Sequence, residues 1–294
     1  MKNAIANYLL LLCVGGSFAA FLLGYQAGAN LELIVLFASV STLLLAIIFE
    51  RIIPYCREWN IPQGDTRTDL TSAAVLVGVV DPVLKAVAPI VVVAIIGMMS
   101  ADLRPSALGN MPFLIQVLAV TLLIEFGRYW SHRLHHALKS FWWLHAMHHS
   151  SKRLYALNNL RFHPLNYLNN FLIGVLPAML LGFSPEALLA YLAISQPVLM
   201  LQHANIDLKS GWLNYVFSTN ELHRAHHSTE SHIANSNFGN AFVIWDQVFG
   251  TYRPVDNNAT TSQVGLFAAS RAYPQEQSYF AQLGSMFSPT CCRS

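Results

Sequence analysis

The sequence predicts an all-α integral membrane protein of about four transmembrane helices plus a helical hairpin, carrying a histidine-walled metal centre. Three observations predict it. The chain has 294 residues, of which 54% are hydrophobic and 11% charged, and its mean hydropathy is +0.42, values that belong to membrane-embedded chains. Apolar runs recur at the length that spans a bilayer as helix, roughly 17 to 25 residues. Finally, the pattern HxxHH is written twice, at His145–His149 and at His223–His227, and a third cluster, His132 to His136, begins just before the first copy, so that six of the twelve histidines fall between residues 132 and 149.

The runs 8–27 and 33–49 form a first pair of spans. Lys2 and the small residues of Ser17–Ala20 give the first run some character of a signal peptide, but it is long and a second hydrophobic segment follows at once, so a retained helix is expected. The stretch 70–99 is interrupted by Asp81-Pro82 and Lys85, which places its crossing in the later part, with Pro89 at a kink. Residues 111–126 are the fourth span. The apolar segments 168–183 and 185–202 are joined by Gly182-Phe183-Ser184-Pro185, a turn signal, and read as a helical hairpin that either spans the membrane or dips into it from one side. Arg51, Arg57 and Arg67 follow the second span, and Arg128, Arg133, Lys139, Lys152, Arg153 and Arg161 follow the fourth, whereas the loop 101–110 holds only Arg104. The positive-inside rule then puts every histidine cluster on the cytoplasmic side.

Spacing supplies the chemistry. Positions i, i+3 and i+4 share a helix face, so His145, His148 and His149 point into one space, as do His223, His226 and His227; His132 and His136 do the same at i and i+4, with His135 beside them. A lone histidine on an apolar face is usually a core residue. Two HxxHH copies plus HxxxH in a lipid-facing chain resist that reading, because each unpaired polar ring there is costly. Imidazole binds zinc, iron, copper and nickel, and one ion takes only about four to six ligands. Eight or more facing histidines therefore point to two ions.

Other classes fit less well. A net charge of +2, without a long Lys/Arg run, gives no sign of a nucleic-acid partner. Cys13, Cys56, Cys291 and Cys292 offer no CxxC spacing, hence no sulfur-ligated zinc and no disulfide framework. A zinc hydrolase lacks its H-E-x-x-H, and a metal transporter would carry its ligands near mid-membrane, where only Asp81 and Lys85 stand. The non-redox alternative is therefore a zinc hydrolase without that motif or an inactive metal-binding scaffold, and the number and intactness of the clusters argue against both.

The string Glu125-Phe-Gly-Arg-Tyr-Trp-Ser-His132-Arg-Leu-His-His136, then Trp143-Leu-His145-Ala-Met-His148-His149-Ser150, then His223-Arg-Ala-His226-His227-Ser228 resembles the fatty acid hydroxylase/sterol desaturase superfamily of membrane di-iron enzymes. Arg161-Phe-His163-Pro164, Gln202-His203-Ala-Asn205, Asn237-Phe-Gly239, Trp245-Asp246 through Tyr252, and Glu50-Arg-Ile-Ile-Pro54 with Trp59-Asn60 add to it, so the resemblance covers about residues 50–253. It divides a single domain into N-terminal transmembrane helices and loops (1–110), a hydroxylase-like catalytic region (111–253) and a polar C-terminal tail (254–294). It implies a four-helix membrane stem capped on the cytosolic side by a helical domain holding two irons, with zinc able to occupy the same ligands on purification. By position it carries over as ligands His132, His136, His145, His148, His149, His223, His226 and His227; His203 matches an extra histidine after the hairpin, and His163 sits in the His-Pro segment.

Four departures stand out. Glu125 occupies a position where many relatives have Asp, with the expected task of orienting a ligand imidazole. Asn235 stands for a frequent Asp, and Asn166 for a common Glu. Asp207, four residues after His203, stands where the fatty acid 2-hydroxylase pattern has a second histidine, a vacancy His163 is expected to fill. Asp246 is expected either to orient a histidine or to cap a helix, His135 and His232 to serve outside the ligand set, and the aromatics Tyr129, Trp130, Phe141, Trp142 and Trp143 to anchor at the interface or line a lipid channel.

The implied reaction uses O2 and two electrons on an unactivated C–H bond of a fatty acyl, sterol-like or other isoprenoid-like lipid, by hydroxylation or desaturation. Soluble di-iron bundles use Glu and Glu-x-x-His ligands, and nothing with that spacing lies near these clusters. The chain also has no G-x-G-x-x-G fingerprint and no cysteine cluster for iron–sulfur. A separate electron donor is implied, a ferredoxin or a cytochrome with its reductase; Lys152 and Arg153 beside His149 read more plainly as membrane-surface contacts than as docking residues for an acidic donor.

Overall fold

The computed structural model describes residues 2–99, 108–254, 263–270, 272–275 and 278–287. Most of the loop around Arg104, and the pair Cys291-Cys292, lie outside the described residues. Among those described, every regular element is helical: α1 (Lys2–Gln26), α2 (Leu31–Ile52), α3 (Thr66–Val75), α4 (Asp81–Met98), α5 (Phe113–Ala137), α6 (Lys139–His149), α7 (Pro164–Asn170), α8 (Leu176–Leu180), α9 (Pro185–Gln202), α10 (Asn220–His226), α11 (Ser231–Ala234), α12 (Ile244–Val248) and α13 (Tyr279–Gly284).

Four helical stretches are long and apolar enough to cross a membrane: Lys2–Gln26, Leu31–Ile52, Thr66–Met98 and Phe113–Ala137. Their start and stop signals are local. Asn30 caps α2 by accepting from the Leu33 N–H, and Ser184 caps α9 from the Ala187 N–H, with Pro185 in the first turn. Asp81-Pro82 does not end the third span; a π-helical turn at Leu76–Val80 absorbs it and α4 continues to Met98.

The hairpin runs the full depth of α5. Its tip meets the N-terminal end of α5, where the Ser184 N–H donates to Gln116 Oε1 and Gln116 Nε2 donates to the carbonyls of Gly109 and Met111. The descending limb, α7 and α8, is joined by a second π-turn at Phe171–Val175. That turn presses on α5 so closely that a Cβ on Gly127 would fall 2.2 Å from the Ile173 carbonyl oxygen. The ascending limb, α9, packs against α1, α2 and α5 as the buried centre of the stem, held by Ser17 donating to the Ala193 carbonyl.

The cap gathers where α2 and α5 end and α3 begins. α5 stops at Ala137, Leu138 turns extended, and α6 starts at once, which brings the first two histidine clusters together. Parts of the segment expected to be a polar tail pack on this cap: Leu266, Tyr273 and Tyr279 are buried against Trp142, Ala146 and Met147, Trp142 donates to Ser270 Oγ, and the Gly265 N–H donates to the His227 carbonyl.

Candidate metal centre

Nine of the ten histidines singled out by sequence converge into two groups. His132, His136, His145, His149 and His226 form one, and His148, His203, His223 and His227 the other; within each, one ring nitrogen per residue lies within 4.8 Å of all the rest. Three structural facts assemble them. α5 and α6 cross at the Leu138 bend, which sets His132 Nε2 at 3.0 Å from His145 Nε2. The end of α9 delivers His203, whose Nε2 lies 3.0 Å from His223 Nε2. α10, capped by the Thr219 hydroxyl, then sends His226 to the first group and His223 and His227 to the second, so one HxxHH copy serves both. The other copy is split the same way, with His145 and His149 in the first group and His148 in the second.

The outer hydrogen bonds fix the tautomers. His132 Nδ1 lies 2.9 Å from the Phe238 carbonyl, His148 Nδ1 3.2 Å from that of Arg161, and His226 Nδ1 2.9 Å from that of Ser236. A carbonyl can only accept, so each Nδ1 carries the proton and each Nε2 turns a lone pair inward. Side-chain amides do the same for three more: Asn235 for His136 at 3.2 Å, Asn166 for His145 at 2.8 Å and Asn158 for His203 at 2.8 Å. The orientation of the Asn158 amide is set independently, because its Oδ1 also accepts from the Tyr155 N–H while its Nδ2 donates to the Arg153 carbonyl.

Lone pairs therefore face lone pairs. His132 and His145 both hold their protons on Nδ1, so their Nε2 atoms at 3.0 Å share no proton, and the buried Nε2 atoms of His136 and His226 and both ring nitrogens of His149 have no hydrogen-bond partner. Burial reinforces this by pushing the imidazoles toward the neutral form: His148 falls to about 3 and His226 to about 4, and His145, His149, His203, His223 and His227 fall well below the ordinary range, by burial first and then by one another. Converging neutral lone pairs without protons between them in the first group, and four neutral imidazoles packed nitrogen to nitrogen in the second, are what a pair of cations would satisfy, and the residues present fit a dimetal centre of imidazoles alone. Among the described residues no carboxylate joins either group.

His163 stands apart. Its Nδ1 accepts from the Leu165 N–H at 3.1 Å, capping α7 ahead of Pro164, so the lone pair that the other six turn inward from Nε2 is spent here on the backbone. It joins neither group, and the vacancy at Asp207 is not filled by it. His135 donates to the Ser131 carbonyl at 2.6 Å and His232 is exposed beside Glu230.

Glu125 does not touch a histidine. It accepts from Tyr191 Oη and from the N–H groups of Ala241 and Phe242, and so pins the chain after Asn240 to α5. Asp246 neither contacts a ligand nor serves as a simple cap: it accepts from the N–H groups of Phe238 and Gly239 and from the Thr251 hydroxyl, which aims the Phe238 carbonyl at His132. Gly239 is required in that clasp, since a Cβ would meet the Phe242 carbonyl oxygen at 2.3 Å. Arg153 is no docking residue, for it is 2% exposed and paired with Asp65 at 2.7 Å. Aromatic rings close the walls: Phe162 stacks on His148 at 4.2 Å, and Trp142 and Phe238 lie 5.1 and 5.3 Å from His136.

Residues 117–251 match the family model described as fatty acid hydroxylase. The chain is 31% identical over 261 residues to ornithine lipid hydroxylase OlsE of Rhizobium tropici, covering 85% of this chain and 74% of that protein. It is also 26% identical to alkylglycerol monooxygenase of Homo sapiens and 25% identical to that of Danio rerio, over 44% and 49% of this chain but only 28% and 32% of those proteins. No solved structure matches. With its histidine clusters inside the matched segment and its helical stem, the chain belongs to the fatty acid hydroxylase family.

Proposed function

We propose that this chain is a membrane-bound di-iron enzyme that hydroxylates a C–H bond of a polar-headed lipid with O2 and electrons from a separate donor. The observation that carries the reading is the gathering of nine imidazoles into two adjoining groups, with proton-free ring nitrogens facing one another in the first. The chemistry balances as C–H plus O2, two electrons and two protons giving C–OH and water. When bound, the metal pair supplies oxygen activation and hydrogen removal. The chain supplies the rest: nine imidazoles as ligands, six outer acceptors that hold their tautomers, and a wall of Phe162, Phe238, Phe267 and Trp142 that keeps water from the centre. Hydroxylation is preferred to desaturation because the named relatives are a hydroxylase and monooxygenases, and a lipid substrate because both names are those of lipids. The cap faces the cytoplasm in this reading, where the basic loops and a ferredoxin or cytochrome donor meet it.

The test is expression with either an ornithine lipid or an alkylglycerol present, under isotopically heavy dioxygen, followed by mass spectrometry of extracted lipid. Heavy oxygen in one lipid, absent from a His148→Ala control, is expected. Unlabelled lipid from iron-loaded, reduced enzyme contradicts the reading for both substrates.

A further inference from the structure

We infer that Asp69, assisted by Ser72, is a positioning residue for the second metal group, acting through the loop 150–163; the inference rests on the dimetal reading above. Two of the four imidazoles in that group take their outer hydrogen bond from this loop, His148 from the Arg161 carbonyl and His203 from Asn158 Oδ1, and Phe162 stacks on the His148 ring. Apart from one 3-10 turn at Ala156–Leu160 the loop is irregular, so its placement depends on what holds it, and α3, with Glu50 of α2, supplies those holds.

Asp69, fully buried, accepts from Arg161 Nε and from Tyr155 Oη. Arg161 passes the restraint on, donating from Nη1 to Ser150 Oγ at the end of α6. One helical turn along α3, Ser72 Oγ donates to the Leu160 carbonyl at 2.8 Å and accepts from the Phe162 N–H at 3.0 Å, bracketing Arg161 on both sides. Asp65, one turn earlier, takes the paired bonds of Arg153, whose carbonyl orients the Asn158 amide. Glu50, from α2, accepts from the Ala156 N–H. Residues 65, 69 and 72 thus share one face of α3 and grip the loop at each point that matters to His148 and His203.

None of these four residues reaches a histidine of the first group, whose acceptors come from Asn166 and from 235–238. The clasp is therefore selective, and removing it loosens one metal site of two. Removal of such outer support costs about 10- to 100-fold in metal affinity.

The experiment is a cobalt(II) titration of metal-free protein in detergent, read by the visible absorption of bound cobalt and by metal per chain after desalting. Wild type is expected to bind two ions. Asp69→Asn is expected to retain one after desalting; adding His203→Ala leaves that one in place, whereas adding His226→Ala removes it. Ser72→Ala leaves the buried ion pair intact and keeps the question open to measurement if Asp69→Asn does not fold; it is expected to weaken the second binding step alone, by about 10-fold. Retention of both ions at wild-type affinity in either variant overturns the inference, as does equal weakening of both steps. Failure of wild type itself to bind two ions overturns the dimetal reading beneath it, a distinct result.

Discussion

The two histidine groups are built from the same motif yet differ in number, exposure and support. The first has five imidazoles, two of them, His132 and His136, only half-buried; the second has four, all buried. The first is oriented by the turn around 235–238, clasped by Asp246, and by Asn166. The second is oriented by the 150–163 loop, clasped from α2 and α3. All nine histidines and the first group's supports lie within the family-matched segment 117–251, whereas Glu50, Asp65, Asp69 and Ser72 precede it. The difference teaches that a ligand set can be compact in sequence while the scaffold that aims it is spread across the membrane stem.

The largest effect that sharpens this comparison is acid. His148 and His226 are held at about 3 and about 4, below the ordinary value of 6.5, so below that value the unfolded chain binds protons the fold refuses. Stability of the metal-free protein is full above pH 6.5 and falls as pH drops toward 4, by on the order of 3 kcal/mol for a group shifted as far as His226. Thermal melts between pH 7 and 4 check it, and a flat profile contradicts neutral, buried imidazoles.

Next comes the first group's clasp. Burial pushes the Asp246 carboxyl up against the bonds it accepts from Thr251, Phe238 and Gly239, and Asp246→Ala leaves those donors unpaired. It is expected to weaken metal binding in the first group by about 10- to 100-fold, seen as loss of one of two steps in a metal titration. Loss of both steps breaks the claim of separate scaffolds.

The two asparagines that stand for carboxylates in relatives give a finer contrast. Asn166 is buried and 2.8 Å from His145, whereas Asn235 is exposed and 3.2 Å from His136. Water replaces an exposed acceptor but not a buried one, so Asn166→Leu is expected to cost about tenfold in first-group affinity and Asn235→Ala less. Equal costs would mean that burial is not what makes the outer bond matter.

Helical spacing makes the ligand residues legible, since i, i+3 and i+4 rings share a side of the helix, but not their division, because each HxxHH copy is split between the two groups once the α5–α6 bend and the end of α9 bring them together. The supports were not legible either, for a physical reason: three of the six acceptors are main-chain carbonyls, of Phe238, Arg161 and Ser236, which any residue type could present. Arg153 reads in sequence as a free surface cation because its partner, Asp65, is 88 residues away. The carboxylates at 65 and 69 with Ser72 did leave a trace, a polar i, i+4, i+7 face leading into an apolar span. The tail read as polar from scattered Pro, Asn and Ser, while Leu266, Tyr273 and Tyr279 supply its buried contacts. Four spans were read from length and hydropathy, and four helical stretches have both.

The central claim is that the chain holds two metal ions on separable sets of imidazoles, and metal per chain tests it most directly. Iron should be measured in detergent-purified protein produced under iron-rich conditions, beside His226→Ala and His203→Ala, which remove one ligand from the first and second group respectively. Two irons per chain are expected in wild type and one in each variant, with the two single losses combining to none in the double variant. A single ion in wild type, or a full complement in both variants, would contradict the account.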